Sequence, residues 1–129
     1  MAVEFLSEEW AEEVTAALNS HDGFRGAIQG MSLSLKFHVT DVPGRDDIDY
    51  FVQVADGKAV VRRGVLDAPD VSITNTYETA EAISKGELNT QSAFITGRIK
   101  VEGNLAKLMM HQAALQHFAN AVSDIEVEY

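Results

Sequence analysis

The chain has no cysteine, two prolines and one tryptophan, and only ten lysines and arginines against twenty aspartates and glutamates. Without cysteine there can be no disulfide and no thiolate chemistry; a reducing cytoplasm is permitted, though not required. No apolar run approaches membrane-spanning length, and the N-terminus lacks the basic-then-apolar pattern of a signal peptide. The net charge of -10 repels nucleic acid and anionic membranes at long range, so neither a nucleic-acid partner nor stable membrane insertion is expected. What is present suffices for one fold. The 129 residues, 46% apolar, can bury a real core but are too few for two domains, so 1–129 is read as a single domain.

Ser7 is a good N-cap, and Glu8 and Glu9 suit the helix dipole. Trp10, Val14, Ala17 and Leu18 then repeat on one face, which predicts an amphipathic helix ending between Asn19 and Gly23. Trp10 reads most simply as a core anchor, with a ligand-facing role as the alternative. Gly23, Gly26 and Gly30 are expected to turn the chain into its first long strand. From Met31 to Thr40 apolar and polar residues alternate without a break, the pattern of a sheet with one wet side. Pro43-Gly44 marks a turn. Ile48–Ala55 and Lys58–Arg63 read as strands joined by the hairpin turn Asp56-Gly57. Val71–Thr74 is a short fourth strand. Asn75 and Glu78 have capping-box spacing and open a helix that Gly86 ends. Ser123–Tyr129 reads as an acidic tail.

The stretch from Asn89 to Phe118 organises the rest. Asn89 or Thr90 can cap a short helix carrying Ala93, Phe94 and Ile95, and Gly97 can stop it. Arg98–Glu102 alternates as a strand, which must join the sheet to satisfy its backbone. Asn104 caps a final long helix with two apolar strips. Leu105, Leu108, Met109, Gln112, Leu115 and Ala119 form one; Met110, Ala113, Ala114, Phe118 and Ala121 form the other. Two strips fit a helix buried on both sides, or one whose second side meets a ligand or partner. Helices at both ends of a meander of strands predict an α+β fold with a mainly antiparallel five-stranded sheet covered by helices.

Catalytic signals are lacking. There is no nucleophile elbow, phosphate-cradling loop or dinucleotide fingerprint. His111 and His117 lack the spacing of shared metal ligands. His21 and His38 have no obvious partner in sequence. Asp46, Asp47 and Asp49 read as a solvated loop, not a calcium site. No enzyme activity, no metal and no cofactor are expected.

Asn89-Thr90-Gln91, Ala93-Phe94, Gly97-Arg98-Ile99-Lys100 and Gly103-Asn104, followed by a long helix, resemble the C-terminal half of the sterol carrier protein 2 family of lipid-binding domains. Thr90 stands where that family usually has proline. The resemblance implies a five-stranded sheet with helices on one side, and a mostly aliphatic cavity with a glutamine on the last helix. Gln112, an amide midway along an apolar face, would then meet a ligand's polar group; a backbone carbonyl is its other available partner. The expected lining is Phe94, Ile95, Leu105, Leu108, Met109, Gln112 and Leu115, with Trp10 as a further candidate.

The expected function is non-catalytic binding and transfer of a fatty acid, acyl-CoA, sterol or related lipid between the sheet and the C-terminal helix. The alternative is an accessory or scaffold subunit of a lipid- or quinone-metabolising system, with a homodimer or an enzyme as partner. The chain ends Val127-Glu128-Tyr129, without the peroxisomal tripeptide of many eukaryotic family members, so a bacterial cytoplasmic protein is expected.

Overall fold

The computed structural model describes residues 2–88 and 90–128, with the side chains of Thr90 and Gln91 left aside. The elements run β1 (Val3–Glu4), α1 (Glu8–Ser20), α2 (Asp22–Ala27), β2 (Leu33–Thr40), β3 (Ile48–Ala55), β4 (Lys58–Arg63), β5 (Val71–Thr76), α3 (Tyr77–Ser84), α4 (Thr90–Ile95), β6 (Ile99–Gly103), α5 (Leu105–Met110), α6 (Gln112–Ser123) and β7 (Val127–Glu128).

Local chemistry explains most boundaries. Ser7 caps α1, its hydroxyl oxygen accepting from the Trp10 N–H at 3.1 Å. Asp56 and Gly57 both take positive φ, at 54° and 74°, as a tight hairpin turn between β3 and β4 requires. One expected loop is a helix instead. Gly23 and Gly26 lie in α2, whose first turn is closed by the His21 ring nitrogen accepting from the Phe24 N–H at 3.0 Å, while Phe24 sinks into the core; Gly30, at φ 71°, stands in the turn before β2 as expected. A Cβ at Gly23 would come within 2.7 Å of the His117 ring, so this glycine serves helix packing, not chain reversal. Likewise Thr76, not Asn75, caps α3. The expected cap Asn89 lies outside the described residues.

The five strands are ordered β4-β3-β2-β5-β6. All neighbours are antiparallel except the central pair β2–β5, which is parallel. This corrects the expected meander. Two hairpin turns put β4 at the far edge, and residues 64–70 lead back to the free side of β2. Alternating patterns look the same in parallel and antiparallel strands, so the sequence does not distinguish them.

The register sends Leu33, Leu35, Phe37 and Val39 of β2 to one face with Val54, Val52, Tyr50 and Ile48 of β3. Most of these are buried beneath the helices. The opposite face carries Lys36, His38, Asp49, Thr74 and Lys100. Under α1 the inner layer is solid. Trp10 packs edge-on to Tyr50 and Phe5 at centroid distances of 5.3 and 5.5 Å, and Tyr50 stacks on Phe37 at 4.6 Å. The expected acidic tail is not free either. Its Val127 and Glu128 pair in parallel with Val3 and Glu4.

Candidate functional site

The inner face is covered unevenly. The half formed by β2, β3 and β4 lies under α1 and its aromatic cluster. The half formed by β2, β5 and β6 is covered by α3, which packs on β2 and β5, and by α4, which packs on β6. There the row Phe37–Ile73–Val101 crosses the sheet in register, and both Phe37 and Val101 stay partly exposed although they face inward. Leu108, Leu115 and Phe118 are half-buried against the same core.

The roof itself is thin. The expected long helix is two helices, α5 and α6, separated at His111, whose φ/ψ of -113°/32° leaves the helical region. No proline or glycine marks this break, which explains why the sequence conceals it. Among the described residues, α5 has no buried residue and makes no extensive contact with another element, whereas α6 packs on α1, α2 and α3.

What holds α5 is Asp70, at the start of β5. Its carboxylate accepts from the Ser34 N–H at 2.9 Å and from Lys107 Nζ at 3.0 Å, and its backbone oxygen accepts from the Asn104 N–H at 2.8 Å. The Lys107 ammonium, then the Ser34 N–H, hold the Asp70 carboxyl below the usual aspartate range. Gly103 is required at this junction: its φ is +112°, and a Cβ would lie 2.5 Å from the Asp70 oxygen.

The expected lining residues fall into three groups. Leu108 and Leu115 face the core and are half-buried. Phe94, Ile95, Leu105 and Met109 are exposed by 43, 84, 41 and 60%, and so lie at the surface. Gln112 also lies at the surface, its amide donating to Met109 Sδ at 3.4 Å. The break at His111 moves it from mid-helix to the first residue of α6. Trp10 is 2% exposed within the aromatic cluster, which is the core-anchor position. Two open concavities, of about 620 and 750 Å³, lie elsewhere, beside Phe5 and Tyr77 and beside Arg25 and Lys58, and neither includes an expected lining residue.

Two polar features escaped the sequence reading. Asn75 sits in β5 on the inner face, between Val39 and Ile99 in register, and its buried side-chain oxygen has no hydrogen-bond partner. The alternation Val71, Ile73, Asn75 could have revealed it, had the strand been carried past Thr74. His38, on the outer face, bonds Asp49 at 2.7 Å across the β2–β3 ladder and Asp47 at 3.1 Å. These aspartates are therefore not merely a solvated loop. The Asp49 hydrogen bond raises the His38 pKa above 6.5, against a smaller opposing effect of burial. His21 and His117 also meet, with ring centroids 5.6 Å apart. Among the described residues, no group of three or more histidine or acidic side chains is arranged to hold a metal, and no helix is long and apolar enough to cross a membrane.

Comparison with known proteins agrees with this architecture. A model of the SCP-2 sterol transfer family matches residues 12–116. Sterol carrier protein 2 of Rattus norvegicus is 34% identical over 77 residues, which are 60% of this chain but 14% of the rat protein. Stomatin-like protein 1 of Homo sapiens is 33% identical over 76 residues, 58% of this chain and 19% of that protein. The chain thus spans under a fifth of these curated relatives. A crystal structure of sterol carrier protein 2 superposes with a TM-score of 0.82 at 22% identity, covering 95% of this chain and 99% of that one. Palmitated SCP2L2 from Aedes aegypti superposes with a TM-score of 0.62 at 24% identity, covering 91% of this chain and 96% of that one. At such identities the structural likeness speaks for the fold, and the sequence match over 12–116 for the lineage. The chain belongs to the SCP-2 sterol transfer family of lipid-binding and lipid-transfer domains.

Proposed function

We propose that this domain binds one acyl chain or similarly apolar lipid on the inner face of β2, β5 and β6, beneath α5 and α6, and passes it on without chemical change. The observation that carries the reading is the row Phe37–Ile73–Val101, apolar and inward-facing, whose two outer members Phe37 and Val101 are only partly covered. Leu108 and Leu115 would form the opposite wall. Phe94, Ile95, Leu105, Met109 and Gln112 would form the mouth, and Trp10 the solid backing of the neighbouring core. Asn75 offers a buried acceptor that a ligand hydroxyl or protonated carboxyl could satisfy. The palmitated state described for the Aedes relative supports an acyl chain as the first ligand to try.

Burial supplies the free energy. An acyl chain of about fifteen methylenes gains on the order of 12 kcal/mol gross at about 0.8 kcal/mol each. Ordering and association costs consume much of that, leaving affinities of about micromolar. Entry requires α5 to lift, and its attachment through Asp70 and Lys107 makes it the segment best suited to move. A bacterial cytoplasmic setting belongs to the same reading, and the cysteine-free sequence permits it.

The deciding experiment is mass spectrometry of the purified protein, native and after organic extraction. A stoichiometric lipid, or uptake of one palmitate per chain, is the expected result. A bare protein mass with no uptake of fatty acid, acyl-CoA or sterol would mean a core closed by its own side chains, and would shift the function to protein–protein contacts.

A further inference from the structure

The two edges of the five-stranded sheet are finished differently. Along β4, α1 stands in for a missing strand. Asn19 donates to the Ala59 oxygen at 2.9 Å and accepts from the Ala59 N–H at 3.0 Å, and the Thr15 hydroxyl accepts from the Val61 N–H at 2.9 Å. Along β6, no described side chain does the same.

The register determines which β6 backbone groups face outward. The Asn104 N–H bonds the Asp70 oxygen, and Val71↔Gly103, Ile73↔Val101 and Asn75↔Ile99 continue that register. Bonded and non-bonded pairs alternate in an antiparallel ladder. Lys100, Glu102 and Asn104 therefore bond toward β5, while Ile99, Val101 and Gly103 turn their N–H and C=O groups to the open side.

We propose that this edge pairs antiparallel with β6 of a second copy of the chain, about a two-fold axis at Val101, joining the two five-stranded sheets into one. The strand is complementary to itself. In this register Lys100 lies opposite Glu102 of the second copy, and Glu102 opposite its Lys100. Both pairs fall at non-hydrogen-bonded positions, where side chains approach most closely. Ile99 faces Gly103 of the second copy, which has no side chain to crowd it, and Val101 faces its own equivalent.

A lone edge lysine normally discourages strand pairing. Here the same strand carries its counter-charge two residues on. Within one chain Lys100 and Glu102 pair at 3.2 Å while 73 and 67% exposed, a weak surface contact that the dimer exchanges for two cross-strand ones. The apolar row on the inner face would continue through Val101 across the axis. Antiparallel pairing also brings α4 of one copy to the strand end from which α5 of the other departs. Those helices carry Ile95, Met109 and Met110, exposed by 84, 60 and 78%, and the dimer gives them cover.

The test is sedimentation velocity from about 1 μM to about 1 mM chain, at about 0.15 M salt so that the acidic surfaces are screened. The expected result is a shift to twice the mass of one chain as concentration rises. Lys100→Glu sets acid against Glu102 and should abolish the shift. Val101→Pro removes an outward N–H without touching the β5–β6 ladder and should do likewise. The double variant Lys100→Glu/Glu102→Lys restores the complement and should restore the dimer, with circular dichroism showing every variant folded. A wild-type chain that stays single throughout overturns the proposal. So does a dimer that neither single variant weakens, or a folded double variant that stays single.

Discussion

Asn19 treats Ala59 as a neighbouring strand would: one side-chain amide answers both the N–H and the C=O that β4 turns outward, at 3.0 and 2.9 Å. The amide has the same donor and acceptor as a peptide group, so a helix residue finishes a sheet edge that would otherwise invite a partner. Asn19→Ala removes both bonds at once. A loss of about 1–3 kcal/mol is expected, read as a lower urea midpoint at unchanged m-value. Asn19→Asp keeps the acceptor and should lose less. An unchanged midpoint for Asn19→Ala would show that water serves this edge equally well.

The attachment of α5 predicts a movable roof. Lys107→Met leaves Asp70 with its Ser34 bonds but without the ammonium. Because both side chains are about a third exposed, at 29 and 32%, the cost in global stability should be small, about 1 kcal/mol or less. The local effect should be larger: faster amide exchange over residues 105–110 and faster lipid exchange. Acid should act the same way. The folded-state pKa of Asp70 is depressed, so its contribution is present above the unfolded value and is lost as pH falls through the folded value, below the ordinary aspartate range. Exchange rates over α5 that Lys107→Met does not alter would remove Asp70 as the anchor.

His38 predicts a pH dependence of opposite sign. Its folded-state pKa lies above 6.5, raised first by the hydrogen bond to Asp49, with Asp47 adding to it. The stabilisation is therefore complete below the unfolded value and fades as pH climbs through the folded one. Urea midpoints measured from slightly acid to mildly alkaline pH should decline for the wild type. In His38→Gln that decline should flatten. An equally steep decline in the variant would assign it to other groups.

Met109→Trp tests the mouth of the proposed site. The side chain is 60% exposed, so a larger ring needs no room in the core, and the melting temperature should hold within a few degrees. Palmitate affinity should fall several-fold if the ring obstructs entry beside Leu108. Asn75→Leu probes the opposite end. Removing an unpartnered buried oxygen should not destabilise the fold, and should favour ligands without a hydroxyl or acid group. A titration in which both variants bind palmitate as the wild type does would place the ligand elsewhere.

Short-range chemistry was legible in the sequence. The Ser7 cap, the β2 alternation, the Asp56-Gly57 hairpin and the run from Ala93 to Asn104 each depend on residues a few positions apart, and each recurs in the structure. The resemblance carried by that last run is the family that the match over 12–116 shows. Tertiary structure alone decided the relationships that depend on register and packing. Alternation does not encode strand direction, so the parallel β2–β5 pair was invisible. Nothing in Leu108-Met109-Met110-His111 announces a helix break, so Gln112 reached the surface unforeseen. His38 and its aspartates meet only because β2 and β3 lie side by side. The chain's local preferences determined most of its helices and strands, though not α2, β7 or the break at His111; the burial of one sheet face determined which residues meet.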